Sequence, residues 1–185
     1  MLYHVSDISG IKVLKPKLSS HGKAWVYAVD NLVTGLLFGT KQDDFDFLIT
    51  EDDAGKPVVY ECYPKALEMI YRGKQCFAYE LAEDGFVRGK TEWKPELVCE
   101  HEVPVLNEIT VDDLYQRLMD EETDGNLAIH RYKANPAYKK IISEHIIDRL
   151  IRFDAIGRME NDKRGQTYYR GIINALKAAM DGHLL

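Results

Sequence analysis

The sequence predicts an α+β protein, with strand-forming segments up to about residue 109 and helix-forming segments from there to residue 185. Three observations predict it. Short apolar stretches with two-residue alternation, such as Gln75-Cys76-Phe77-Ala78-Tyr79-Glu80-Leu81, recur between turns rich in Gly, Pro and Asp. Beyond Thr110 the apolar residues change to helical spacing, as in Tyr138, Ile141, Ile142, Ile146 and Leu150. The composition, 45% apolar and 29% charged, is that of a globular chain long enough to bury a core.

Taken in order, strands are expected at 2–5, 11–14 and 24–29, with Pro16 stopping the second. Asp30 or Asn31 caps a short helix through Leu36, Leu37 and Phe38, ending near Gly39. Residues 45–50 and 58–63 flank a polar turn and predict a hairpin. Pro64 opens a helix that Gly73 stops. Residues 75–81 form a strand that Asp84-Gly85 turns, and 97–99 and 103–109 are the last strands, with Pro104 marking an edge or a bulge. Thr110-Val111-Asp112-Asp113 starts a helix with acidic residues in its first turn; it carries Leu114, Leu118 and Met119, and Thr123-Asp124-Gly125-Asn126 breaks it. Pro136 opens a long amphipathic helix. Residues 157–165 read as a charged loop, and a final helix sets Tyr169, Ile172, Ile173, Leu176 and Met180 on one face. The expected division is an α+β domain over 1–109 and a helical extension over 110–185. Its apolar faces need cover from each other, from the sheet or from a second copy of the chain, so a homodimer through the extension is one expected arrangement.

A net charge of −6 and a pI near 5.5 give no general basic field. Nucleic-acid binding is therefore not the expected main task, although a local basic patch stays open. Cys62, Cys76 and Cys99 are odd in number, lie in apolar segments and form no CxxC pair, so reduced, buried thiols and a cytoplasmic protein are expected. No signal-peptide pattern and no membrane-length apolar run occurs, so no membrane partner is expected. No metal is expected either. GxGxxG, P-loop, GxSxG and HExxH patterns are absent.

Chemistry points first to His4 and Tyr27, each on a largely apolar strand. Histidine is the usual acid, base or hydrogen-bonding group near neutral pH, although a structural role for His4 is an equal reading. Across adjacent strands, Tyr27 would add an aromatic face and form with His4 a slot for a planar ring. Group transfer needs a carboxylate as well. In Glu100-His101-Glu102, read as a strand, both acids share one face, and either would stabilise a developing oxocarbenium ion. The other reading is that they are solvated edge charges.

Leu2-Tyr3-His4-Val5-Ser6, the Pro16 loop, and Trp25-Val26-Tyr27-Ala28 leading into a short helix resemble the opening of the diphtheria-toxin-like ADP-ribosyltransferase fold. Small bacterial members such as rifampin ADP-ribosyltransferases open similarly, and RNA 2′-phosphotransferases share the fold with a different pocket. The resemblance implies split antiparallel sheets and NAD as the substrate. It implies that His4 holds a ribose, Tyr27 stacks on nicotinamide and Glu102 stabilises the ribose cation, with Glu100 in reserve. His4, Val5, Ser6, Tyr27 and Glu100 would then line the NAD site. The implied function is transfer of ADP-ribose to an unidentified acceptor. Val5 stands where the family usually has glycine, and Ala28-Val29 replaces a Ser/Thr neighbourhood. These departures favour the alternative of a non-catalytic nucleotide sensor or interaction module. The resemblance covers residues 2–109 and leaves the helical tail without a counterpart.

Overall fold

The computed structural model describes residues 1–185 except 19–21, 44, 92, 153–155, 171–172, 175–176 and 178–185. It is an α+β structure with one large antiparallel sheet, one small sheet and a few helices. The strands are β1 (Leu2–Ser6), β2 (Val13–Leu14), β3 (Lys17–Leu18), β4 (Ala24–Val29), β5 (Phe47–Glu51), β6 (Pro57–Glu61), β7 (Cys76–Leu81), β8 (Val87–Arg88), β9 (Glu96–Cys99), β10 (Val103–Val111) and β11 (Ala128–His130). The helices are α1 (Leu32–Leu36), α2 (Ala66–Tyr71), α3 (Leu114–Thr123), α4 (Pro136–Arg152) and α5 (Ile156–Asn161), followed by a π-helical turn over Gly165–Tyr169. Among the described residues no helix is long and apolar enough to cross a membrane.

The chain divides into two units, and the division does not fall at residue 109. The first contains Met1–Gln42, Glu51–Pro57 and Leu67–Ala128; the second contains Asp43–Thr50, Val58–Ala66 and Ile129–Leu185. The chain thus leaves and re-enters the first unit, and α3 belongs to it.

In the first unit the sheet order is β2-β10-β7-β1-β4-β9-β8, with β3 beside β4. Alternation buries one face as a cluster of Leu2, Val26, Ala28, Tyr79, Leu81 and Cys99. Cys76 and Ala78 lie on the other face of β7, and α1 packs against β1, β4 and β7. Of the two expected cap residues, Asp30 and Asn31, it is the Asn31 side chain that caps α1, accepting from the amides of Val33 and Thr34 at 2.9 and 3.3 Å. The register between β10 and β7 shifts between Val105 and Asn107, next to Pro104. Strand β10 runs on to Val111, so α3 starts later than its sequence suggests: Asp113 is its cap, and the acidic residues expected in its first turn precede it.

In the second unit β5, β6 and β11 form a three-stranded sheet in the order β11-β6-β5. Strands β5 and β6 pair as the expected hairpin, whereas β11 had no periodic signal. Residues 157–165, expected as a loop, are mostly helical. Their order comes from tertiary contacts: Met159 is fully buried, and Arg164 is held by three aspartates. Tyr169 and Ile173 are buried as expected, while Ile172, Leu176 and Met180 of the predicted final helix lie outside the described residues. Cys62, Cys76 and Cys99 are buried and form no disulfide.

The π-helical turn has a steric requirement. A Cβ on Gly165 would lie 1.7 Å from the carbonyl oxygen of Met159. Gly165→Ala is expected to destabilise the second unit by about 1–3 kcal/mol through this overpacking. A urea midpoint equal to wild type would contradict it.

Candidate functional site

Strands β1 and β4 are neighbours that register at one position, Tyr3 opposite Val29. A continued ladder would set Val5 opposite Tyr27. Instead the Tyr27 carbonyl lies 2.8 Å from His4 Nδ1. A carbonyl oxygen only accepts, so Nδ1 carries the proton and the neutral ring keeps Nε2 as an acceptor. The histidine side chain thus takes a bond that the backbone of β1 would make in an uninterrupted ladder.

At this opening lies a cavity of about 170 Å³. Strand β1 contributes Tyr3, His4 and Val5, and β4 contributes Tyr27, Ala28 and Val29. Gly35 of α1, Phe38 just beyond it, and Trp93 and Glu96 complete the wall. An apolar cavity of about 150 Å³ accepts a benzene ring, so this one is the size of a single planar ring. Phe38 and Trp93 meet edge to face at 5.1 Å, and Tyr27 meets Trp25 in the same way at 6.1 Å.

Val5 fits because α1 carries a glycine opposite it. A Cβ on Gly35 would come within 3.0 Å of Val5 Cγ2 and 3.3 Å of Val29 Cγ2. Val5 therefore forms part of the wall and leaves the cavity present.

Glu96 opens β9 and sits opposite Val29, which is itself opposite Tyr3. Directly opposed residues share a face, so Tyr3, Val29 and Glu96 form one row across three strands, on the side toward Gly35. The carboxylate that lines the cavity with His4 and Tyr27 is Glu96.

Glu100 and Glu102 are elsewhere, and the strand expected over 100–102 is not formed. Strand β9 stops at Cys99, the chain turns, and β10 begins at Val103. Exposed Glu100 accepts a 3.4 Å hydrogen bond from Trp25 Nε1. Exposed Glu102 pairs with Lys15 at 3.1 Å, near β2 at the far edge of the sheet. Ser6 ends β1, where its hydroxyl accepts from the Ile8 amide at 3.2 Å, outside the cavity wall. Glu96 was not among the candidate acids in the sequence, where it lies just before the strand expected at 97–99. Its signal was its position at the head of that apolar run.

Burial lowers the pKa of His4 below its ordinary 6.5; the bond to Tyr27 O opposes this and the Lys17 charge adds to it. The unfolded chain thus takes up a proton first as pH falls. The stability tied to neutral His4 is present above about pH 6.5 and is lost as pH falls from there toward the folded value. In an NMR titration the His4 ring should titrate below the ordinary histidine value of 6.5, and a midpoint at or above 6.5 would contradict the buried neutral form.

Fold and site together define a class: an α+β protein whose antiparallel sheet opens beside one strand to hold a ring-sized cavity with an imidazole, a phenol and a carboxylate. No protein-family model, curated protein or solved structure matches this chain.

Proposed function

We propose that this cavity binds the nicotinamide end of NAD, or of an NAD-like nucleotide, and that the protein transfers ADP-ribose to an acceptor. The observation that carries this reading is the convergence of His4, Tyr27 and Glu96 from β1, β4 and β9 on one ring-sized cavity. The opening of the β1–β4 ladder is also what the split sheets of the ADP-ribosyltransferase type would require.

Each group has a role that its chemistry supports. Nε2 of His4 accepts a hydrogen bond from a ribose hydroxyl, because Nδ1 is committed as a donor to Tyr27 O. The Tyr27 ring stacks on nicotinamide. The bond between ribose C1′ and the nicotinamide nitrogen breaks, and its electron pair leaves with nicotinamide, whose positive charge is thereby neutralised. The Glu96 carboxylate stabilises the oxocarbenium charge that develops on the ribose. An acceptor oxygen, nitrogen or sulfur then bonds to C1′ and releases its proton to solvent.

Saturation-transfer NMR with NAD, alongside a nicotinamide-release assay, tests the reading on wild type and His4→Ala. The expected result is saturation of the nicotinamide ring protons and slow release of nicotinamide, both lost in the variant. Absence of binding at millimolar NAD would overturn the reading. Val5 in the wall favours a second reading, a nucleotide sensor that binds without turnover. Saturation transfer without nicotinamide release is the result that selects it.

A further inference from the structure

Residues 125–143 contain Arg131, Lys133, Lys139 and Lys140 and no aspartate or glutamate, in a chain of net charge −6. The second unit sets aromatic rings beside these cations. His130 stacks on Tyr60 with centroids 4.3 Å apart and planes 12° from parallel. Tyr132 meets Tyr138 edge on at 5.8 Å.

The rings stand on a rigid base. Tyr138 is buried, and its hydroxyl lies 2.9 Å from the carbonyls of both Glu61 and His130, bridging β6 and β11. The acid within this cluster, Glu61, is buried and accepts from the Tyr132 amide at 3.1 Å. His130, Arg131, Lys133, Lys139 and Lys140 are exposed, and Tyr60 and Tyr132 are half-buried. Lys140 lies 3.9 Å from Glu144 in an exposed pair of little strength.

We propose that this surface of the second unit binds single-stranded nucleic acid, with bases stacking on the His130–Tyr60 pair and phosphates neutralised by Arg131, Lys133, Lys139 and Lys140. Open ring faces are used by unstacked bases, which a duplex does not offer. An acidic polypeptide would use the cations and gain nothing from the rings, so the aromatic pair favours the nucleic acid.

Fluorescence anisotropy of the full chain with labelled oligo(U) and oligo(dT) of fifteen nucleotides tests this, with polyglutamate of equal charge as competitor. Binding to the oligonucleotides is expected, and four neutralised phosphates predict a log–log salt slope of about −3. That amounts to roughly fifty-fold weaker binding between 50 and 200 mM salt. His130→Ala, at an exposed ring, should weaken binding about tenfold at fixed salt without changing the slope. Lys139→Gln/Lys140→Gln should flatten the slope by about 1.4. Circular dichroism melts of the two variants, which alter only exposed side chains, report that both remain folded. No binding at 50 mM salt, equal displacement by polyglutamate, or an unchanged affinity in His130→Ala would each overturn the proposal.

Discussion

Replacing Arg164 with alanine is expected to destabilise the second unit by about 3–5 kcal/mol, the cost of leaving a buried charge without its partner. The guanidinium of Arg164 serves three carboxylates. Nη1 donates to both oxygens of Asp46 at 2.7 and 2.8 Å, Nη2 to Asp43 at 2.6 Å and to Asp162 at 2.9 Å, and Nε to Asp162 at 2.9 Å. Asp46 is wholly buried and also accepts from the Tyr63 hydroxyl and the Asp43 amide, each at 2.7 Å. Burial pushes its pKa up, and the Tyr63 hydroxyl, the Asp43 amide and the Arg164 charge pull it back down. Hydrogen bonding to Arg164 lowers the pKa of Asp162.

Without Arg164 these carboxylates lose the positive charge that holds them together, and Asp46 is the one wholly buried in the native structure. The planar fork of arginine meets three partners at once, so Arg164→Lys should recover less than half of the loss. Arg158 reaches Asp43 at 3.2 Å from an exposed position, and Arg158→Ala should cost less than about 1 kcal/mol. Urea unfolding with hydrogen exchange at the amides of β6 measures all three. An Arg164→Ala midpoint equal to that of Arg158→Ala would refute the clamp.

The second large effect concerns Glu96. If the cavity transfers ADP-ribose, Glu96→Gln should lower the rate of nicotinamide release by about 10²–10³, the usual loss when one preorganised transition-state contact is removed. The amide keeps the size and polarity of the side chain, so the saturation-transfer signal from NAD should persist. Loss of rate with retained binding is the mark of an interaction made in the transition state. Glu100→Gln and Glu102→Gln should stay within about twofold of wild type, because neither lines the cavity. A large loss in Glu102→Gln with none in Glu96→Gln would reverse the assignment.

His4 and Tyr27 were legible because local pattern carries strands well: each sits on a short apolar run, with a Pro16 loop between that allows an antiparallel return. A cap for α1 at Asp30 or Asn31 was legible because a side-chain oxygen two or three residues from an orphan amide is a local relation, and the structure selects Asn31. The stretch at 100–102 misled because alternation continues through Glu100-His101-Glu102 on paper, whereas the chain turns there and leaves both acids exposed. The helical 156–169 segment was hidden because its polar sequence has weak periodicity, and its order depends on Arg164 meeting aspartates more than a hundred residues earlier.

By itself the sequence determined the α+β class, most strands, a cap for α1 at Asp30 or Asn31, the long helix at Pro136 and two of the three groups at the cavity. These follow from side-chain periodicity and turn chemistry, which act over a few residues. Tertiary structure alone decided that β9 pairs with β4 and so brings Glu96 into the row with Tyr3 and Val29. It also decided that β1 parts from β4 after one register position, and that residues 43–50 and 58–66 group with the C-terminal helices. Those outcomes depend on which distant segments can bury one another's apolar faces and neutralise one another's charges, and no local pattern records that choice.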